Sequence, residues 1–186
     1  MARFDLASGR YELFAPSQGV HRFRSALAKA LGVDSAEVRV VTPDVGGGFG
    51  LRIPCSNEYP LLLWASRKCE RPLKWEGTRS EAFVSDVHSR DTCCDGALAL
   101  TDDGKVTALQ LDYIGNVGAH PVSSAVLSNL LRMAGPPYDV PAMHVKVRGA
   151  LTNTTPTSVF RGAGRPQVTN KVERIMDLAA AVTGLD

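Results

Sequence analysis

Apolar residues recur along this chain with two periods, one near two residues and one near 3.6, and the switches between them mark the elements. "RYELFAP" alternates as a strand that Pro16 ends. From Phe23, the positions Phe23, Ala26, Leu27, Ala30 and Leu31 fall on one helical face, closed by Gly32. "EVRVVTPDV" reads as the next strand and runs straight into Gly46-Gly47-Gly48-Phe49-Gly50. "NEYPLLLWASRKCE" predicts a helix with Asn57 as N-cap and Pro60 in the first turn, and "RPLKWEG" a short strand after it. "CCDGALALT" and "KVTALQLDYIGNV", joined through Asp102, Asp103 and Gly104, predict a hairpin. A short helix is expected from Ala125 to Met133, before a turn at Pro136 and Pro137. "MHVKVRGALT" is a further strand. After the loop "TNTTPTSVFRGAGRP", the last helix starts near Pro166, buries Val168, Val172, Ile175, Met176 and Ala179, and stops at Gly184. Short strands and helices, unevenly interleaved in mixed layers, predict an α+β fold rather than a doubly wound parallel sheet.

Composition narrows the setting. With 186 residues, 44% of them hydrophobic and 22% charged, the chain is expected to form a single domain, residues 1–186, with a core that needs no staples. A net charge of +2, with no basic block carrying interleaved aromatics, argues against nucleic acid. No apolar run approaches a membrane span and no secretory h-region opens the chain, so a cytoplasmic protein with no membrane partner is expected. Cys55, Cys69, Cys93 and Cys94 lack C-x-x-C spacing, which disfavours a zinc ribbon or iron–sulfur cluster. They are expected to be reduced and mostly buried, with Cys93 and Cys94 on opposite faces of a strand.

The glycine run raises the question of what approaches its backbone so closely. A G-x-G-x-x-G fingerprint started at Gly46 would need its last glycine at Leu51, and a P-loop would need a Lys-Ser or Lys-Thr pair that "GLRIP" lacks. A crossing of backbones and a ligand loop both remain open at this point. The second loop, "VFRGAGRP", favours a site. Arg161 and Arg165 flank Gly162 and Gly164 there, setting planar donor forks beside amides that an anion or oxo group can reach.

With these residues placed, the chain resembles the molybdenum-binding subunit of the xanthine dehydrogenase, aldehyde oxidase and carbon monoxide dehydrogenase family. The likeness runs in order through "PSQGVHRFRSALAKALGV", "VRVVTPDVGGGFG", "RPLKWEGTRSEAF", "HSRD", "DGKVTALQLDYIGNVGAH", "VFRGAGRPQ" and "VERIMDLAAAVTGLD". It implies a molybdopterin-binding domain and the molybdenum cofactor, its cytosine dinucleotide form included. Gly48, Phe49 and Gly50 are implied to lie against that cofactor. Gln18 is implied to donate from its amide to an oxo ligand, and Arg161 is the loop arginine. The metal takes its sulfur ligands from the pterin, so the resemblance implies no protein metal ligand.

Departures from the family pattern bear on substrate. Leu51 and Arg52 follow Gly50 where the family continues with Gly-Lys, and Ile53 stands where purine-oxidising members carry a glutamate. Gly162 stands where the copper-containing carbon monoxide dehydrogenases carry a cysteine. These differences point away from xanthine and from a copper–molybdenum site, and leave a small organic substrate, an aldehyde or an N-heterocycle.

The resemblance covers only the first of the family's two cofactor-binding regions, and the general-base glutamate belongs to the second. No catalytic residue is therefore assigned here. The expectation is an oxidoreductase component, a fragment, split subunit or degenerate gene product, inactive alone. It would work with a second molybdopterin-binding region and with iron–sulfur and flavin subunits. Self-association through its open face is a further expectation. The alternatives are a non-enzymatic cofactor-binding module and a degenerate interaction domain.

Overall fold

A computed structural model describes residues 1–135 and 137–185. Pro136, half of the expected Pro-Pro turn, and Asp186 lie outside the described residues. The fold is α+β, with two three-stranded mixed sheets and five helices among the described residues. The contacts group into two compact units, 1–85 and 86–186.

In the first unit β1 (Ala2–Asp5) pairs antiparallel with β2 (Arg10–Phe14), and β2 pairs parallel with β3 (Val38–Val41). The crossover from β2 to β3 is α1 (Val20–Leu31), which Gly32 ends in the left-handed region at φ 68°. Strand alternation sorts β2. Tyr11 and Leu13 join Phe23, Leu27 and Leu63 in the buried cluster. Glu12, between them, sits in register with Arg3 on one side and Arg39 on the other. Arg3 Nε approaches its carboxylate at 2.5 Å and Arg39 Nη1 at 3.2 Å. The buried face of α1 is rotated from the expected one, because Ala28 is buried while Ala26 and Ala30 are exposed.

The paired guanidiniums hold the Glu12 carboxyl below its ordinary range, the Arg3 hydrogen bond first, and outweigh the opposing effect of burial. A carboxylate whose folded pKa is depressed contributes stability above its unfolded pKa, about 4.3, and loses it as pH falls through the lower folded value. Glu12→Gln is therefore expected to lower the melting temperature at pH 7. The deficit should shrink below about pH 4, which thermal melts across that range will measure.

Helix α2 (Glu58–Cys69) covers the unit with Leu63 and Ser66 buried. Asn57 precedes it in a helical conformation and gives no side-chain cap. The expected strand at "RPLKWEG" reduces to one antiparallel bridge, Leu73 to Ala2. Beyond it, α3 (Arg79–Ser85) starts from a capping box. The Glu81 amide donates to Thr78 Oγ1 at 3.2 Å, and the Thr78 amide donates to Glu81 Oε2 at 2.6 Å.

The second unit is a hairpin of β4 (Thr92–Leu100) and β5 (Val106–Gly118), with β6 (Ala142–Leu151) parallel to β5. Gly104 makes the expected turn at φ 84°. Leu109, Leu111 and Tyr113, alternate residues of β5, face the cluster completed by α4 (Ala125–Arg132) and α5 (Arg165–Thr183). Leu130 and Ala134 come from the α4 region, and Val168 and Val172 from α5.

All four cysteines are free thiols, but none is fully buried, contrary to expectation: Cys69 and Cys93 are exposed, and Cys55 and Cys94 are half-buried. The reason is position, since Cys69 ends a helix and Cys93 points off the outer side of a hairpin strand. Burial pushes the Cys55 thiol up to about 11 and raises Cys94 as well. Because the thiolate is the nucleophile, alkylation near pH 8 should modify Cys69 and Cys93 first. Peptide mass spectrometry over time is the check, and early loss of Cys55 would contradict it.

Candidate functional site

The loop after β3 crosses the loop that precedes α1, and the contact is made by Gln18. Its backbone amide donates to the Arg52 carbonyl at 3.0 Å, and its side-chain Oε1 accepts from the Gly50 amide at 2.8 Å. A backbone N–H demands an acceptor, so this bond identifies the carboxamide end that faces Gly50 as the oxygen and leaves Nε2 as the donor end. Gln18 is itself exposed.

The glycines of the run differ in what their missing side chains accommodate. A Cβ on Gly48 would stand 2.6 Å from Gln18 Oε1, so the gap at Gly48 is filled by Gln18. A Cβ on Gly47, whose φ is 132°, would reach 2.5 Å from the Phe49 ring. Gly46 faces open space. Gly50 has φ 102° and Phe49 itself φ 52°, and Phe49 is 53% exposed. Part of the glycine run thus serves a backbone crossing, while Gly46, Phe49 and Gln18 are each exposed. Neither Leu51 nor Arg52 has a positive φ, so the departure from glycine after Gly50 introduces no left-handed strain.

Arg161 lies in the second unit, on the loop entering α5. Gly162, Ala163 and Gly164 follow it at φ 82°, 46° and 97°, a left-handed run that turns the chain into the helix. Asn129 of α4 donates from Nδ2 to the Ala163 carbonyl at 2.8 Å. A Cβ on Gly164 would come within 2.6 Å of the Val126 carbonyl oxygen, so α4 packs directly on the loop's backbone. Arg161 is exposed, with its guanidinium carbon 5.9 Å from the centre of the Phe160 ring. Sequence reasoning missed Arg90, whose guanidinium reaches this same loop; "HSRD" was visible only as a segment of resemblance.

Gln18, Gly48, Phe49 and Gly50 are therefore brought together in the first unit, and Arg161 is positioned within the second. Small mixed sheets backed by helices, with each glycine loop bonded by a side-chain amide, Gln18 to Gly50 and Asn129 to Ala163, define an α+β domain. The chain belongs to the molybdopterin cofactor-binding domain family, whose model matches residues 1–186.

Among curated relatives, it is 31% identical over its whole length to the carbon monoxide dehydrogenase large chain of Hydrogenophaga pseudoflava, covering 24% of that protein. It is 32% identical to the gamma subunit of the 6-hydroxypseudooxynicotine dehydrogenase complex of Paenarthrobacter nicotinovorans, over 89% of this chain and 21% of that one. Quinoline 2-oxidoreductase from Pseudomonas putida 86 shares the fold over the whole chain with a TM-score of 0.92 and 28% identity, across 24% of its own length. The chain thus spans about a quarter of the length of these relatives.

Proposed function

We propose that this chain holds molybdopterin in a molybdenum hydroxylase and serves the hydroxylation of an aldehyde or N-heterocycle only as part of a larger assembly. The observation that carries the reading is the Gln18 lock. The carboxamide oxygen accepts from the Gly50 amide and closes the glycine turn, which leaves the Nε2 end of the exposed Gln18 to donate to a ligand. That donor, with the exposed Gly46 and Phe49 of the glycine run, suits a ligand rich in acceptor atoms. In the second unit, Arg161 carries a planar cationic fork of its own that suits an acceptor-rich ligand. When bound, the cofactor supplies the two-electron oxidation, and water supplies the oxygen added to carbon. This chain's own part is to bind and orient.

The partners proposed are a second molybdopterin-binding region and iron–sulfur and flavin subunits, and the setting is cytoplasmic. No helix among the described residues is long and apolar enough to cross a membrane.

The test is co-expression with a complementary second region, with molybdenum and pterin measured in the purified assembly. Stoichiometric metal is expected for the wild type. Gln18→Leu removes both the lock and the donor; losing one such pairing costs about 1–3 kcal/mol, a drop in affinity of roughly five- to 150-fold. Equal metal content in the two assemblies would remove Gln18 from the site. A second reading, an interaction domain without cofactor, is favoured by Leu61 and Trp64, exposed at 60% and 52% on α2. It expects an assembly that forms fully and carries no molybdenum.

A further inference from the structure

The segment before β4 runs beside the arginine loop. The His88 amide donates to the Pro156 carbonyl, and the Ser158 amide donates to the His88 carbonyl, both at 2.9 Å. Two residues on, Arg90 adopts φ 72°, a left-handed conformation that a long side chain seldom takes. Its guanidinium then meets the loop at three places. Nη2 donates to the Arg161 carbonyl at 2.5 Å, Nη1 donates to Gln167 Oε1 at 3.1 Å, and the guanidinium carbon stands 5.5 Å from the Phe160 ring centre.

Gln167 is no passive neighbour. It lies in the first turn of α5 and is only 8% exposed, and its Nε2 is buried with no hydrogen-bond partner among the described residues. A buried donor left unpaired is unfavourable, because it loses its hydrogen bonds to water and gains none in return. The arrangement therefore favours the bond to Arg90 at Oε1 over satisfying the other end of the amide. A strained backbone at Arg90 and an unmet donor at Gln167 are both tolerated around one guanidinium, and strain kept in this way marks a position held for function.

We propose that Arg90 is a positioning residue for Arg161: its fork ties the Arg161 carbonyl to the first turn of α5 and so sets the direction in which the Arg161 side chain leaves the loop. The inference rests on the reading of Arg161 as a ligand-facing group. A planar fork is required, because an ammonium is a compact point charge without the fixed geometry that spans a carbonyl and a carboxamide together. The left-handed run Gly162-Ala163-Gly164 explains the need. The turn's own hydrogen bond, from the Ala163 amide to the Phe160 carbonyl at 3.1 Å, closes the chain around Arg161 but leaves the Arg161 carbonyl to a donor from outside the turn, which Arg90 supplies.

The experiment is side-chain NMR of the 186-residue chain carrying isotope-labelled arginine, with no cofactor present. The Arg161 Nε signal is assigned by its disappearance in Arg161→Lys. In the wild type, Arg161 Nε is expected to be ordered. In Arg90→Lys, which keeps charge and stem, its order parameter should fall to the flexible range, below about 0.6, while the backbone signals of β4 to β6 stay in place. Gln167→Leu leaves Arg90 with the carbonyl and ring only and should release Arg161 partly; it decides the matter if Arg90→Lys does not fold. An Arg161 signal as ordered in both variants as in the wild type would overturn the proposal. Since the readout needs no metal or turnover, the latch is judged separately from the functional reading, which turnover of Arg161→Lys tests.

Discussion

Gly164→Ala is expected to destabilise the protein by about 3 kcal/mol, the sum of a left-handed backbone penalty of ~1–2 kcal/mol and a steric clash of ~1–3 kcal/mol. At φ 97° a side chain is strained whatever the space, and here its Cβ would also press to 2.6 Å on the Val126 carbonyl oxygen. Backbone cannot swing aside as a flexible side chain can. Relief would require α4 to move away from the loop and break the Asn129 bond to Ala163. Gly32→Ala separates the two contributions, because Gly32 has φ 68° but open space around its missing Cβ. It should cost about 1 kcal/mol. Urea denaturation of both variants measures the difference. Equal midpoints would show that the helix contact at Gly164 carries no energy of its own.

Arg161→Lys should leave stability within about 0.5 kcal/mol, as for an exposed side chain, and lower turnover per bound molybdenum by roughly a hundredfold in an assembly with the second region. The charge survives and the planar fork does not. Because the side chain is exposed and its loop is fixed through backbone bonds at Arg161 and Ala163, folding has little to lose from the change. Melting temperature and turnover measured on the same preparations separate the two roles. Unchanged turnover would take Arg161 out of the site, and a collapsed fold would mean that its fork serves structure.

The α+β class, the β4–β5 hairpin and the helices α1, α2, α4 and α5 were legible because each depends on local periodicity and on a stop residue next to it. Gly32, Gly104 and Gly184 all take the left-handed angles their positions demand. Helix α3 was legible too, in the Thr78-x-x-Glu81 pattern, but it was overlooked because no apolar stripe marks it and none of its residues is buried. β1 was missed for the opposite reason. Four residues are too few to show a period, and Ala2 is buried only because β2 and Leu73 lie on either side of it.

The sequence by itself determined which residues were chemically equipped for a site: an amide at Gln18, a glycine run, and an arginine between glycines. It also determined the family, since ordered segments along one chain carry that likeness without any knowledge of contacts. What only the tertiary structure decided was the use of each group. Gly47 and Gly48 make room for Phe49 and Gln18, so their missing side chains answer to the chain's own packing, whereas Gly46 stays open. The orientation of the Gln18 amide follows from the Gly50 N–H, which is 32 residues away in sequence. Arg90 meets Arg161 across 71 residues and Gln167 across 77. Hydrogen-bond direction and steric exclusion act over a few ångströms, and no periodicity in the chain encodes which distant atoms folding brings within that range.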